Sequence, residues 1–161
     1  MDCYELQKPL KDAIAEFYEK ERELLKHKGI EQAMVFRIGI YLNELLKKTS
    51  LKDHSLDCEY NKKGKDPKTE IDDGTAIRPD MLIHKRGSGR DNNILAIEFK
   101  GWWNTNRSKD IEKLKNLTKP NGGYKYKLGV FVVLEERSAE YSFFKGGKKI
   151  GMERVCYRNG T

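Results

Sequence analysis

The sequence predicts a mixed α/β domain (α+β by a stricter definition) built on a sheet with both parallel and antiparallel strands. Two amphipathic helical stretches come first, followed by three strand-like segments, a helix and a further strand. Because a helix connects the last two strands of this run, those strands should be parallel and lie beside an antiparallel meander. The length of 161 residues fits one domain, 1–161.

The N-terminal helices are predicted over 3–27 and 30–48, where apolar residues recur at helical spacing. Glu31 lies on the apolar stripe of the second helix, four residues before Val35. A carboxylate on a buried stripe is costly unless a cation compensates it. An acidic residue in a first turn also interacts well with the helix dipole. Both interpretations of Glu31 therefore stay open.

The later elements are predicted from alternation, helix capping and turn residues. Alternation predicts strands, Ser108 is a suitable helix N-cap, and a nearly continuous apolar run is typical of a strand covered on both faces. A polar loop over 62–75 follows the first strand. In chain order the predicted elements are strands at 56–61, 81–84 and 93–100, a helix from Ser108, a strand at 127–134 and a hairpin over 141–157 that turns at 145–148.

The charge of the chain is unevenly distributed. Residues 1–100 hold 19 Lys and Arg against 19 Asp and Glu, whereas residues 101–161 hold 13 against 6, so the whole net charge of +7 falls in the last third. This asymmetry is compatible with a polyanion partner, and also with a plain soluble surface. No apolar run approaches the roughly 18 residues of a membrane span. Three cysteines without paired spacing argue against a disulfide framework. We expect a cytoplasmic protein with no membrane partner.

Opposite charges share one face of the segment 94–100. Its period of two places the apolar side chains on one face and Glu98 and Lys100 on the other. Buried ion pairs stabilise weakly, so this arrangement suggests chemistry rather than structure. Asp80 opens the preceding strand and would approach the end that carries Glu98 and Lys100. Two carboxylates at one sheet edge suit Mg²⁺.

These residues resemble the PD-(D/E)XK, or restriction-endonuclease-like, nuclease superfamily. The resemblance lies in Arg78-Pro79-Asp80 and, after seventeen residues, Glu98-Phe99-Lys100, in which the Pro-Asp and Glu-x-Lys elements match literally. The predicted elements over about 30–135 are similar to that superfamily's αβββαβ core, with the first helix and the C-terminal hairpin as additions. Glu31 matches an additional acid that many members contribute. Glu59-Tyr60-Asn61 and Asp66-Pro67-Lys68 resemble small stand-alone bacterial members.

The resemblance implies a metal-dependent nuclease, acting on DNA in preference to RNA. Mg²⁺, with Mn²⁺ as a substitute, would be held by Asp80, Glu98 and the backbone carbonyl of Phe99, and Glu31 would bind it directly or through water. Lys100 would act on the attacking water and the scissile phosphate. The alternative is a catalytically inactive nucleic-acid-binding protein on the same scaffold. Because duplex cleavage commonly takes a dimer, a homodimer also stays open.

Two groups of lysines are candidates for nucleic-acid contacts. Lys109 and Lys113 belong to the helix after the motif strand and would flank the metal site. The resemblance implies that Lys113 or Asp110 of that helix points to the substrate. Lys145, Lys148 and Lys149 cluster at the hairpin tip, where they would bind phosphates or simply maintain solubility.

Overall fold

A six-stranded mixed sheet with helices on both faces forms the body of the protein. The computed structural model describes residues 2–28, 30–60 and 77–158. The elements are α1 (Cys3–Lys20), α2 (Arg22–Lys26), α3 (Glu31–Leu46), β1 (Ser55–Cys58), β2 (Met81–His84), a short 3-10 turn (Arg90–Asn92), β3 (Asn93–Gly101), α4 (Ser108–Thr118), β4 (Leu128–Leu134), β5 (Ser138–Lys145) and β6 (Lys148–Cys156).

The strands lie side by side in chain order, β1 to β6. Only β3 and β4 are parallel among these six, paired from Leu95↔Leu128 to Gly101↔Leu134, because α4 carries the chain back between them. The other neighbours are antiparallel. This confirms the mixed α/β class and the predicted parallel pair beside a meander.

Two cores cover the two faces of the sheet. On one face, Phe17 of α1 and Ile38 of α3 pack against apolar side chains that include Ile97 and Phe99. On the other face, Leu114 of α4 packs in a smaller cluster. Every residue of β4 is buried, as its continuous apolar run predicted. The alternation of β3 therefore directs Phe99 to the α1–α3 face and Glu98 to the α4 face.

Two helix predictions were wrong in detail. The first helix does not run through 3–27, because Glu21 leaves the helical conformation (φ −125°, ψ 25°) and separates α1 from α2. Its carboxylate instead accepts hydrogen bonds from Arg37 Nε (2.5 Å) and Tyr41 OH (2.6 Å) of α3. Ser108 is the first helical residue rather than the cap. Arg107 occupies the cap position without a side-chain hydrogen bond to the helix end, and its carbonyl accepts from Ile111 N.

Strand bounds differ at β1 and at the hairpin. β1 ends at Cys58 rather than at residue 61, since Glu59 adopts a positive φ of 48° that breaks an extended strand. The hairpin starts earlier than predicted, at Ser138, and turns at Gly146 and Gly147, whose φ angles of 62° and 78° favour glycine. Asn61, the loop 62–75 and Asp66-Pro67-Lys68 lie outside the described residues.

Candidate active site

The predicted motif residues meet at one end of the sheet, where β2 begins and β3 and β4 end. We call this the carboxylate end. Six side chains form what we call the carboxylate cluster: Glu31, Asp80, Glu98, Lys100, Asp110 and Lys113.

Asp80 is fixed by the backbone of the neighbouring strand. The register pairs Met81 with Ile97, which places Asp80 beside Glu98 and Phe99. Asp80 Oδ2 accepts a hydrogen bond from Phe99 N at 2.7 Å. Burial raises the pKa of Asp80, and the Phe99 amide and Lys113 offset only part of this rise. Asp80 therefore presents a desolvated carboxyl at the strand end.

Glu98 is the most deeply buried acid of the cluster, with 2% of its side chain exposed. Lys113 Nζ lies 2.8 Å from its Oε1 atom. The contact is close but poorly aligned, and Glu98 Oε1 has no well-directed hydrogen bond from any described residue. Burial raises the pKa of Glu98 well above its usual value, and the charge of Asp80 raises it further. An acid in this position gains from any additional cation.

Lys100 bridges the two helices on opposite faces of the sheet. Its Nζ atom lies 3.0 Å from Asp110 Oδ2 of α4 and 3.6 Å from Glu31 Oε1 of α3. Burial alone would lower the pKa of Lys100, but the neighbouring carboxylates outweigh burial and raise it. Lys100 is therefore held as an ammonium.

Glu31 has the cationic compensation that one interpretation of the sequence required. Besides its contact with Lys100, Glu31 Oε2 accepts a hydrogen bond from Gly101 N at 3.0 Å. A Cβ at Gly101 would overlap the ring of Trp103, so the absence of a side chain lets the chain pass there. Glu31 thus joins the cluster from the first turn of α3.

Asp110 and Lys113 enter the cluster from α4. Their spacing of three residues places them on one helix face, with Lys113 Nζ 3.1 Å from Asp110 Oδ1. Lys113 Nζ also lies 3.4 Å from the carbonyl of Arg78. Burial opposes the charge on Lys113, yet Glu98 and Asp110 raise its pKa overall. The ammonium of Lys113 therefore lies within the carboxylate cluster, in contact with Glu98 and Asp110.

The charge of the cluster bears on whether it fits Mg²⁺. Four carboxyl groups face two ammonium groups, so full ionisation leaves an excess of two negative charges (4 − 2 = 2). The acidic donors are all oxygens, as a hard cation prefers, and Mg²⁺ often takes only one or two carboxylates. Within residues 2–28, 30–60 and 77–158, no group of three or more His, Cys, Asp or Glu side chains is arranged to hold a metal ion. The fit therefore rests on the pair Asp80 and Glu98.

The lysines predicted to bind phosphates are divided between the two ends of the sheet. Lys109 is exposed at the start of α4, at the carboxylate end. Lys145, Lys148 and Lys149 lie at the opposite end, because β5 runs antiparallel to β4. The seven residues of β4 separate the two ends by about 20 Å, at roughly 3.3 Å per residue. The structure does not bring the hairpin lysines to the motif residues.

The sequence did not predict the hydrogen bond from Gly101 N to Glu31. It also did not predict that Lys100 and Lys113 would each contact two carboxylates. The spacing of three residues puts Asp110 and Lys113 on one helix face, but it does not show that this face meets Glu98. The sequence Lys100-Gly101-Trp102-Trp103 carried a signal for close packing, since a glycine before two tryptophans leaves room for a ring.

No family model, curated protein or solved structure matches this chain. Across the described parts of the chain, no helix has both the length and the apolar character needed to cross a membrane.

Proposed function

We propose that this protein is a Mg²⁺-dependent nuclease of the PD-(D/E)XK type that hydrolyses phosphodiester bonds, with DNA as the preferred substrate. One observation carries the proposal: the carboxyls of Asp80 and Glu98 converge with Lys100 at the end of β3, on the elements that the motif requires. A structural ion-pair network would not need four acids, one of them 2% exposed, around two lysines.

The acids of the cluster and Lys100 have different roles in the proposed reaction. Asp80 and Glu98 would hold the cation, with the carbonyl of Phe99 as a further oxygen donor. Glu31, which contacts Lys100 and Gly101 N, would act on the cation through a bound water. The bound Mg²⁺ would supply Lewis acidity and a more acidic bound water. Lys100, kept protonated by Asp110 and Glu31, would donate hydrogen bonds to the phosphate oxygens on which negative charge develops. Lys100 thus stabilises developing negative charge as a hydrogen-bond donor and does not act as a general base.

The test is cleavage of supercoiled DNA, branched DNA and RNA in Mg²⁺ by the wild-type protein and by Glu98→Gln, Asp80→Asn and Lys100→Met. Each variant should lose at least about a hundredfold in rate, since each removes charge from the reacting centre. Glu112→Gln is the matched control, because Glu112 lies on α4 but is 61% exposed and pairs only with Lys115 among the described residues. Cleavage that persists in EDTA or in folded Glu98→Gln protein would refute the proposal.

The second candidate is a nucleic-acid-binding protein without catalysis. The contact between Lys113 and Glu98 favours it, because an ammonium already neutralises one of the two acids that would bind the metal. This candidate predicts nucleic-acid binding together with a melting temperature that does not respond to Mg²⁺.

A further inference from the structure

Basic residues collect at the end of the sheet opposite the carboxylate cluster. Lys85 follows β2, Lys127 precedes β4, Lys145 ends β5 and Lys148 begins β6. We call these four residues, with the adjacent Lys149, the lysine edge. The hydrogen bonds Lys85 N to Asn92 O and Lys127 N to Asn93 O place two of them on either side of the start of β3. Neighbouring strands are about 4.8 Å apart, so β2 to β6 spread these charges over roughly 20 Å.

The lysines of the lysine edge differ from those of the carboxylate end in their carboxylate partners. No described carboxylate lies within 4.0 Å of the Nζ atom of any of its five lysines, whereas Lys100 and Lys113 each contact two carboxylates. The neighbouring Lys125 pairs with Asp91 at 3.4 Å and adds no net charge. Four lysines of the edge are exposed and Lys85 is half-buried. Lys145 Nζ donates to Cys3 Sγ at 3.7 Å and Lys149 Nζ to Met152 Sδ at 3.8 Å, and these neutral sulfur atoms are weak acceptors that leave the ammonium charges uncompensated. The charges therefore remain available for an external anion.

A nearby histidine lies close to two lysines of the edge. His54 lies just before β1 at the same end of the sheet. Burial lowers its pKa, and the charges of Lys85 and Lys127 lower it further against the opposing effect of Asp53. Lys85 and Lys127 thus lie near the same imidazole although they are 42 positions apart in the sequence (127 − 85 = 42).

We propose that the lysine edge is a second nucleic-acid-binding surface, which holds the phosphate backbone about 20 Å from the carboxylate cluster. The inference rests on the proposed function for its choice of polyanion. Duplex DNA carries one negative charge per about 1.7 Å, so a row of lysines roughly 20 Å long, without carboxylate partners in the described parts of the chain, can contact several phosphates at once. Lysines on flexible stems contact phosphates without reading bases, so this surface binds without sequence preference. A duplex bound there is retained while the other end of the molecule engages a cleavage site.

The test is binding of a labelled duplex of about 30 base pairs in EDTA, across salt from about 50 to 300 mM. The variant is Lys127→Ser/Lys145→Ser/Lys148→Ser. The matched control is Lys8→Ser/Lys20→Ser/Lys26→Ser, which makes the same change in net charge at exposed lysines that already pair with acids on α1 and α2. The lysine-edge variant should bind at least about tenfold more weakly near 0.1 M salt, and its salt slope should fall by nearly one unit per lost phosphate contact. The control should bind as the wild type does.

Equal affinity and salt slope in the lysine-edge variant and the wild type would overturn the inference. So would equal losses in the two triple variants, since net charge alone would then explain binding. A third arm uses vesicles rich in anionic lipid: a variant that loses vesicle binding but keeps duplex binding would assign the edge to lipid and overturn the inference. All measurements are made without Mg²⁺, so they stand whether or not the protein cleaves DNA.

Discussion

Lys113→Met should destabilise the protein because it removes the only described ammonium in contact with Glu98. Lys113 lies 2.8 Å from Glu98 and 3.1 Å from Asp110, and its side chain is 17% exposed. Methionine retains the apolar length of the side chain but no charge. The variant leaves a buried carboxyl without its cation, which costs more than the intact pair contributes.

The structure sets the size of the effect. Loss of one partner from a fully buried pair costs about 3–5 kcal/mol, and the partial exposure of Lys113 brings this to about 2–4 kcal/mol. For a domain of this size, that corresponds to a fall in melting temperature of roughly 4–16 °C. Asp110 keeps its contact with Lys100 at 3.0 Å, so Glu98 bears most of the loss.

The loss should also depend on pH. The pKa of Glu98 is already raised by burial, and removal of Lys113 raises it further. A carboxyl whose folded pKa exceeds its unfolded value binds its proton more tightly in the folded state, so stability falls as pH rises from the unfolded value of about 4.5 through the folded one. The difference in unfolding free energy between wild type and variant should therefore be smallest near pH 4 and grow toward pH 8.

Urea unfolding monitored by circular dichroism, from about pH 4 to pH 8, measures this difference. Lys115→Met is the control, since Lys115 lies on the same helix in a solvent-exposed pair with Glu112 and should cost at most about 0.5 kcal/mol. In the double variant Lys113→Met/Glu98→Gln, most of the loss should disappear. A loss that is independent of pH and unchanged by Glu98→Gln would refute the reasoning, because it would arise from packing rather than from an unpaired acid.

Three further outcomes follow from the structure. Gly101→Ala should lower the unfolding free energy in urea by about 1–3 kcal/mol, because its methyl group overlaps the Trp103 ring; Gly151→Ala, with ordinary contacts, is the control and should change it little. Arg86 lowers the pKa of Asp57, and His84 lowers it further, against the opposing effect of burial. The wild type should therefore have a higher unfolding free energy than Asp57→Asn above pH 3.8, and this difference should vanish as pH falls through the lowered folded pKa. A difference that persists below that range would contradict the pairing. Mg²⁺ at a concentration of about a hundred times its Kd should stabilise the folded protein by about 2.7 kcal/mol, which raises the melting temperature at neutral pH by roughly 5–10 °C. Glu98→Gln should abolish that rise.

The fold could be predicted from the sequence wherever hydrophobic periodicity was strong. The alternation in β3 correctly separated Phe99 from Glu98, and the continuous apolar run of β4 correctly indicated burial on both faces. The predictions failed where side chains act across elements. At the end of α1, Arg37 and Tyr41 of α3 donate hydrogen bonds to the carboxylate of Glu21, and no local pattern encodes that contact.

The candidate site was predictable to a similar degree. Spacing and period two brought Asp80, Glu98 and Lys100 together. Burial is the main cause that raises the pKa of Asp80 and of Glu98, and it depends on packing that the spacing does not show. The contact of Lys113 with Glu98 depends on how α4 lies across β3, which sequence spacing does not determine.

The most direct measurement of the central claim is an anomalous difference map from crystals of the protein grown with Mn²⁺. The proposed site predicts a peak in contact with the carboxylates of Asp80 and Glu98, with Lys113 Nζ displaced from Glu98. Crystals of Glu98→Gln grown in the same way should lack the peak. A map without density at these residues, with Lys113 still against Glu98, would contradict the account and identify the cluster as a closed ion-pair network.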